Sequence, residues 1–294
     1  MTNPALQVSH LTKTYPAFKL DDVSFEVEAG TCTALIGENG SGKSTILRCL
    51  LSEIVPESGE IRFYGHNPKE EISTHALIGS CKDHLLFPEF FTPAMVSQLF
   101  ARLYPLWDAR GFEDFLQKQK ISMNQPLKKM SRGMKAKVSL ATAMHHQTPL
   151  LLLDEATSGL DPVVREEMLD ALQEYMEDEN RSILITSHIS SDLERIADNI
   201  ILISGGRIVL QQPKDELLNS LILAHLRKDQ LDLIEPELIL GIRRQPLQVD
   251  VLIKDREEFT ARYPDYDWDP ITLDDLVLMF SDKADQPLKG DHHA

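Results

Sequence analysis

Gly37-Glu38-Asn39-Gly40-Ser41-Gly42-Lys43-Ser44 satisfies the pattern G-x-x-x-x-G-K-[ST] at every position. Residues 31–36 before it form a short, mostly apolar run of strand character that stops at Gly37, and residues 44–51 after it read as a helix. A strand, a glycine loop and a helix in that order make a phosphate cradle. The glycines let backbone N–H groups turn inward around phosphate oxygens, and the helix N-terminus adds partial positive charge. Lys43 is expected to bridge the β- and γ-phosphates, the Ser44 hydroxyl to ligate Mg²⁺, and Thr45 to add a phosphate hydrogen bond. A glycine-rich turn with a surface lysine could carry the same letters, but it would not need both flanks. The candidate nucleotide site is therefore Gly37, Glu38, Asn39, Gly40, Ser41, Gly42, Lys43, Ser44 and Thr45.

Leu150-Leu151-Leu152-Leu153-Asp154-Glu155 is a leucine run ending in two carboxylates. A strand buried on both faces is apolar throughout, and its C-terminal end is where ligands sit in parallel sheets. Asp154 is the expected Mg²⁺ ligand. Glu155, one residue on, points elsewhere and could take a proton from the water attacking a γ-phosphate. His188 follows the next apolar run, 182–186, and should reach the same edge, where it could meet the γ-phosphate or the attacking water.

The pattern around these motifs predicts an α/β protein. Residues 1 to about 65 read as strands, and a helical period occupies about 84–146, with Thr92-Pro93, Asp108 and Ser131 as helix starts. Strand and helix then alternate: strand 150–153, helix 163–177, strand 182–186, helix 190–197 and strand 200–203. Beyond about 213 the texture changes. Residues 213–294 hold 10 Lys+Arg and 18 Asp+Glu, a net −8. A helix at 215–226, strands at 238–242 and 248–253, a helix at 273–280 and a frayed end are expected there. His292 and His293 hint only faintly at metal binding.

The 294 residues carry 30 Lys+Arg against 46 Asp+Glu, a net −16. That excess argues against a nucleic-acid partner held by bulk charge. Cys32, Cys49 and Cys81 are too sparse for a disulfide framework and suit a reducing compartment. Met1-Thr2-Asn3-Pro4 lacks a basic, apolar leader pattern. The longest apolar run, Leu276-Val277-Leu278-Met279-Phe280, is far below the ~20 residues that cross a bilayer. Any membrane role is therefore expected through a partner.

With the phosphate loop and acidic strand in place, residues 1 to about 212 resemble the nucleotide-binding subunit of an ATP-binding-cassette (ABC) transporter. Lys129-Met130-Ser131-Arg132-Gly133-Met134-Lys135 stands where the family carries its L-S-G-G-Q signature. Ser158-Gly159-Leu160-Asp161-Pro162 matches the D-loop, and Ile185-Thr186-Ser187-His188 the switch histidine. Tyr15, 28 residues before Lys43, stands where such proteins stack an aromatic on adenine; a plain sheet aromatic reads equally well. The S-R-G-M variant, with Tyr104-Pro105-Leu106-Trp107-Asp108 before it, is most similar to bacterial ABC-2-type exporter ATPases of the YtrB-like group. The resemblance implies a P-loop NTPase fold with a RecA-like, mainly parallel sheet. An antiparallel β subdomain, a helical subdomain at about 84–146 and a small C-terminal α+β extension (213–294) complete the expected domain plan.

The resemblance further implies ATP and Mg²⁺ as cofactors, with Lys43, Glu155 and His188 as catalytic groups. Two copies, or a copy and a paralogue, would close head to tail. Ser131, Gly133 and Asp161 would then serve the partner's nucleotide; taken alone, Ser131 and Asp161 read as a plain helix cap and a turn residue. A separate transmembrane permease would dock near residues 83–104, placing the chain in the cytoplasm at the inner membrane face. Phe87, Phe90, Phe91 and Phe100 are candidates for the docking groove or for local core. Three departures stand out. Arg132 replaces the first signature glycine and could reach a phosphate or solvent. Asp83 occupies the glutamine-loop position and becomes a further metal candidate. Ala156 replaces a proline after Glu155. The competing reading is a soluble ABC-fold ATPase outside transport, acting in translation, DNA work or cluster assembly. A single cassette with no heptad run disfavours it.

Overall fold

The computed structural model describes residues 3–82 and 87–281. Strands β1 (Leu6–Tyr15) and β2 (Phe18–Val27) form a hairpin, followed by β3 (Cys32–Ile36), whose five residues are all buried. Helix α1 (Lys43–Leu50) rises directly from the phosphate loop, and β4 (Ser58–Phe63) pairs back on β1. Strand β5 (Ile78–Lys82) precedes three helices, α2 (Pro93–Leu103), α3 (Ala109–Lys118) and α4 (Arg132–Met144). Thr92, Asp108 and Ser131 cap these three, each side chain accepting a backbone N–H three residues on. β6 (Leu150–Asp154), α5 (Pro162–Met176), β7 (Ser182–Thr186), α6 (Ser190–Ile196), β8 (Asn199–Ser204) and β9 (Arg207–Pro213) follow.

The six-stranded sheet runs β5-β6-β7-β3-β8-β9, parallel except for the edge strand β9. The central strands β6, β7, β3 and β8 are mostly apolar and buried because both faces are covered, whereas the edge strands β5 and β9 carry exposed polar residues. Leu151, Leu153, Ile183 and Ile185 pack on one side with α4 and α5. Leu150, Leu152 and Leu184 alternate to the other side, against α1 and the sheet β2-β1-β4. Three strand ends thus converge with the start of α1 at one edge.

The remaining elements are α7 (Lys214–Ser220), β10 (Ile222–Leu226), β11 (Ile239–Arg244), β12 (Val249–Ile253), α8 (Arg256–Arg262), β13 (Trp268–Pro270) and α9 (Leu273–Met279). They build an antiparallel sheet, β11-β12-β10-β13. Here the helix expected at 215–226 is corrected: it stops at Ser220 and the chain continues as a strand. Ile222, Ala224 and Leu226 face one apolar cluster, while Leu221 and Leu223 face another. A run that is apolar on both faces fits either period, and pairing with Val249–Ile253 decides for the strand. Helix α8 and strand β13 had no counterpart in the sequence reading. Leu223, Leu252, Leu273 and Leu276 share one core with Leu193 of α6 and Leu202 of β8, so this unit is packed onto the layer of the six-stranded sheet. Among the described residues, no helix is long and apolar enough to cross a membrane.

Candidate active site

The loop between β3 and α1 is held open by glycine geometry. Gly37 and Gly42 have φ of 153° and 118°. A Cβ on Gly37 would stand 2.2 Å from the Ile203 carbonyl oxygen, and one on Gly42 would stand 2.9 Å from Phe18. No side chain fits at either place. Lys43, 6% exposed, folds back so that Nζ donates to the carbonyls of Gly37 (2.7 Å) and Glu38 (3.0 Å). Burial lowers its pKa, opposed by the charges of Glu155, Asp154 and Glu38. A buried ammonium under strain of desolvation is stabilised by an arriving anion. Ser44 is exposed, Thr45 half-buried, and the buried Ser41 hydroxyl has no hydrogen-bond partner among the described residues.

Asp154 ends β6, and the chain turns sharply at Glu155, whose φ of 54° is unusual for a residue with a side chain. Thr186, the last residue of β7, holds this turn. Its hydroxyl donates to Asp154 Oδ1 at 3.0 Å, and the Glu155 N–H donates to its carbonyl at 3.2 Å. Glu155 Oε1 lies 2.9 Å from His188 Nε2, while the buried Oε2 has no hydrogen-bond partner among the described residues. Burial raises the Glu155 pKa, against the pull of His188 and Lys43, and Asp154 pushes it further up. A carboxylate with a raised pKa, one lone oxygen and a histidine alongside has the make-up of a general base. The Asp154 carboxylate and the exposed Ser44 hydroxyl are hard oxygen donors, the set that suits Mg²⁺ shared with phosphates.

The signature residues form a second group. The Ser131 hydroxyl caps α4 by accepting the Met134 N–H (3.2 Å), and Asp161 caps α5 by accepting the Val164 N–H (3.1 Å). Gly133 is buried against Val164, whose methyls would lie 3.0 Å from an added Cβ. Arg132 rests on its own chain's D-loop: a Cβ on Gly159 would stand 2.4 Å from a guanidinium nitrogen. Tyr15 is half-buried and pairs with Phe18, so the hairpin meets the phosphate loop through Phe18. Asp83 lies outside the described residues, as do His292, His293 and the stretch expected to fray. Phe87, Phe91 and Phe100 pack into the helical core, whereas Phe90 is 64% exposed.

Sequence reasoning passed over Thr186, although it stands two residues before His188 and is the only hydroxyl of its apolar strand apart from Ser182. It also missed Asp192, 2% exposed, which accepts from the Thr157 hydroxyl (2.9 Å) and pairs with Arg165 (3.4 Å). No local motif marks that network; only the folding of α5 beside α6 assembles it.

A glycine-cradled lysine, an acidic pair on the adjoining strand and a histidine on the acid define a P-loop nucleoside-triphosphate hydrolase. Residues 20–158 match the ABC transporter family. The chain is 31% identical over 220 residues to the bacitracin transport ATP-binding protein BcrA of Bacillus licheniformis, covering 72% of this chain and 71% of that protein. It is 31% identical over 198 residues to the ABC transporter ATP-binding protein YtrB of Bacillus subtilis, covering 67% and 68%. A solved ATP binding subunit of an ABC transporter superposes with a TM-score of 0.67 at 27% identity, covering 73% of this chain and 92% of that one. The chain belongs to the ABC transporter ATP-binding proteins and is an ATPase. The resemblance drawn from the signature and D-loop is thereby borne out, down to the YtrB-like kinship.

Proposed function

We propose that this subunit drives export by closing as a dimer around ATP at the inner membrane face and pulling on a separate transmembrane subunit. The observation that carries the reading is the pair of contact groups in one chain. Lys43, Asp154, Glu155 and His188 gather at the sheet edge, while Ser131, Gly133 and Asp161 gather at the tips of α4 and α5. Head-to-tail pairing presents the second group to the nucleotide held by the first. Ser131 and the start of α4 then face the γ-phosphate, Asp161 faces the other phosphate loop, and Tyr15 lies beside the adenine. Ser44 and Asp154 would hold Mg²⁺, which supplies charge neutralisation between phosphate oxygens. Glu155 accepts the proton of the attacking water, and His188 holds Glu155 in place through Oε1. ATP favours the closed dimer because it binds that state better, and hydrolysis removes the bias.

Glu155→Gln tests the dimer: the variant should elute as a dimer with Mg-ATP and as a monomer without it. A monomer under both conditions removes the head-to-tail model.

Coupling to a membrane partner is supported by α2. Met95, Leu99 and Leu103 recur every four residues along its outer side and are 40%, 37% and 61% exposed, with Phe90 and Leu106 beside them in sequence at 64% and 67%. An apolar stripe of this kind suits the apolar side of a partner's cytoplasmic helix. The export direction is supported by the S-R-G-M variant of the signature. Leu99→Glu with Leu103→Glu should leave ATP turnover of the isolated subunit within about twofold and abolish its co-sedimentation with membranes carrying the partner. Retained co-sedimentation rules out this surface.

A further inference from the structure

Helix α6 begins two residues after His188, so its placement sets where that histidine stands. It lacks a side-chain cap of its own, because Ile189 occupies the N-cap position. One flank is tied to the ATPase body: buried Asp192 meets Thr157 and Arg165, and Arg195 pairs with Glu166 and Asp170 on α5. The other flank is tied to the C-terminal unit. The Ser190 hydroxyl donates to Asp274 Oδ1 of α9. Glu194 Oε1 accepts the Leu273 N–H at 3.3 Å, and the Glu194 carbonyl accepts from Lys214 Nζ at 2.7 Å. Beneath these bonds, Leu193 and Ala197 share a core with Ile271, Leu273 and Leu276.

The N-terminus of α9 is built to present Asp274. Thr272 and Asp275 satisfy each other in a reciprocal capping box, with the Thr272 hydroxyl accepting the Asp275 N–H and Asp275 Oδ2 accepting the Thr272 N–H at 3.1 Å. Asp274 is therefore not needed to cap its own helix and reaches across to Ser190. We propose that Asp274 and Ser190 are positioning residues for His188: the C-terminal unit clamps the first turn of α6 and so sets the hold of His188 on Glu155. The extension acts as a tuner of turnover. This rests on the role given to His188 above.

The test is steady-state ATP hydrolysis by the full chain. Asp274 is exposed and Ser190 half-buried, so neither truncation opens a core cavity. Asp274→Ala and Ser190→Ala should each lower kcat about tenfold while KM for ATP stays within about twofold, since a misplaced catalytic group costs rate rather than binding. The double variant should be no slower than the slower single, because both remove one contact. Asp274→Asn keeps an acceptor oxygen and should restore kcat, an outcome that general loosening of the fold would not produce. Unchanged kcat in both alanine variants, alongside a slowed His188→Ala, overturns the clamp alone. So does an Asp274→Asn enzyme as slow as Asp274→Ala. A His188→Ala enzyme with normal kcat overturns the clamp together with the role given to His188.

Discussion

Two carboxylate–histidine pairs in this chain have the same separation and opposite electrostatics. Glu155 and His188 meet at 2.9 Å on the edge of the parallel sheet, and Asp250 and His225 meet at 2.9 Å inside the C-terminal sheet. Burial pushes both carboxyls towards the neutral form. At Asp250 that push is outweighed. Arg243 (2.8 Å), His225, Gln248 (2.9 Å) and Gln245 all donate to it, and its pKa ends below the usual carboxylate range. At Glu155 the partners are fewer, one oxygen is left over, and the pKa stays raised. The lesson lies in the count of donors. A buried acid whose hydrogen bonds are complete is fixed as an anion and serves the fold. One left incomplete, on a backbone turn at positive φ, is kept ready to take a proton.

Conservative amide substitutions separate the two pairs most widely. Glu155→Gln should retain ATP binding and lose about 10²- to 10⁴-fold in turnover, the worth of general-base help. Asp250→Asn should keep turnover within about twofold. Asp250→Ala strands Arg243 and His225 around a cavity and should cost about 3 kcal/mol of stability, read from denaturant unfolding. If Asp250→Asn slows hydrolysis as much as Glu155→Gln, the distinction between a working acid and a structural one collapses.

The acid proposed as the general base was legible in the sequence, and the structural one was not. Leu150–Asp154 and Ser182–Thr186 announce themselves because strands buried on both faces must be apolar throughout, and the polar residue that ends each run marks the ligand edge. The phosphate loop is legible for a similar reason: its glycines and lysine answer to local backbone demands. Asp250 sits in the strand Val249–Ile253 as one acid among many, and its four donors come from residues 225, 243, 245 and 248. Only the fold brings His225 and Arg243 beside it, through the pairing of β10 and β11 with β12, while Gln245 and Gln248 come from the turn just before its strand. The same holds for Thr186 as the brace of Asp154, for Arg132 on Gly159, and for Asp274 on Ser190, 84 positions apart. The strand Ile222–Leu226 reads as helix because Leu221 to Ala224 and Leu226, interrupted only by His225, put apolar residues on both faces and so fit either period.

Acid titration sharpens the contrast within the active pair. With Glu155 as the proposed base, turnover needs it ionised, so kcat should fall as pH drops through its folded pKa, which burial places above the usual carboxylate value. His188 pulls that pKa down. Removing it in His188→Ala should therefore move the acid limb of the residual activity to higher pH, in addition to lowering the plateau. A limb that stays in place, or moves to lower pH, means that the base is another group.

The smallest expected effect belongs to the structural pair and runs towards alkaline pH. His225 lies between Asp250 (2.9 Å) and Asp269 (3.1 Å), and the two carboxylates hold its pKa above the usual histidine value although burial alone would lower it. A raised folded pKa means that the native state binds the proton more tightly than the unfolded chain. The stabilisation is fully present below the unfolded value, about 6.5, and drains away as pH rises through the folded one. Wild type should thus exceed His225→Gln in melting temperature by a margin that is constant at acidic pH down to the range where Asp250 itself titrates, and that narrows above neutrality. Because Trp268–Pro270 leads within three residues into α9, the same alkaline shift should loosen β13 against β10 in hydrogen exchange. A margin that does not change from acidic to alkaline pH would mean that His225 is held there as a neutral hydrogen-bonding ring, and that the ionic contrast between the two pairs rests on Glu155 alone.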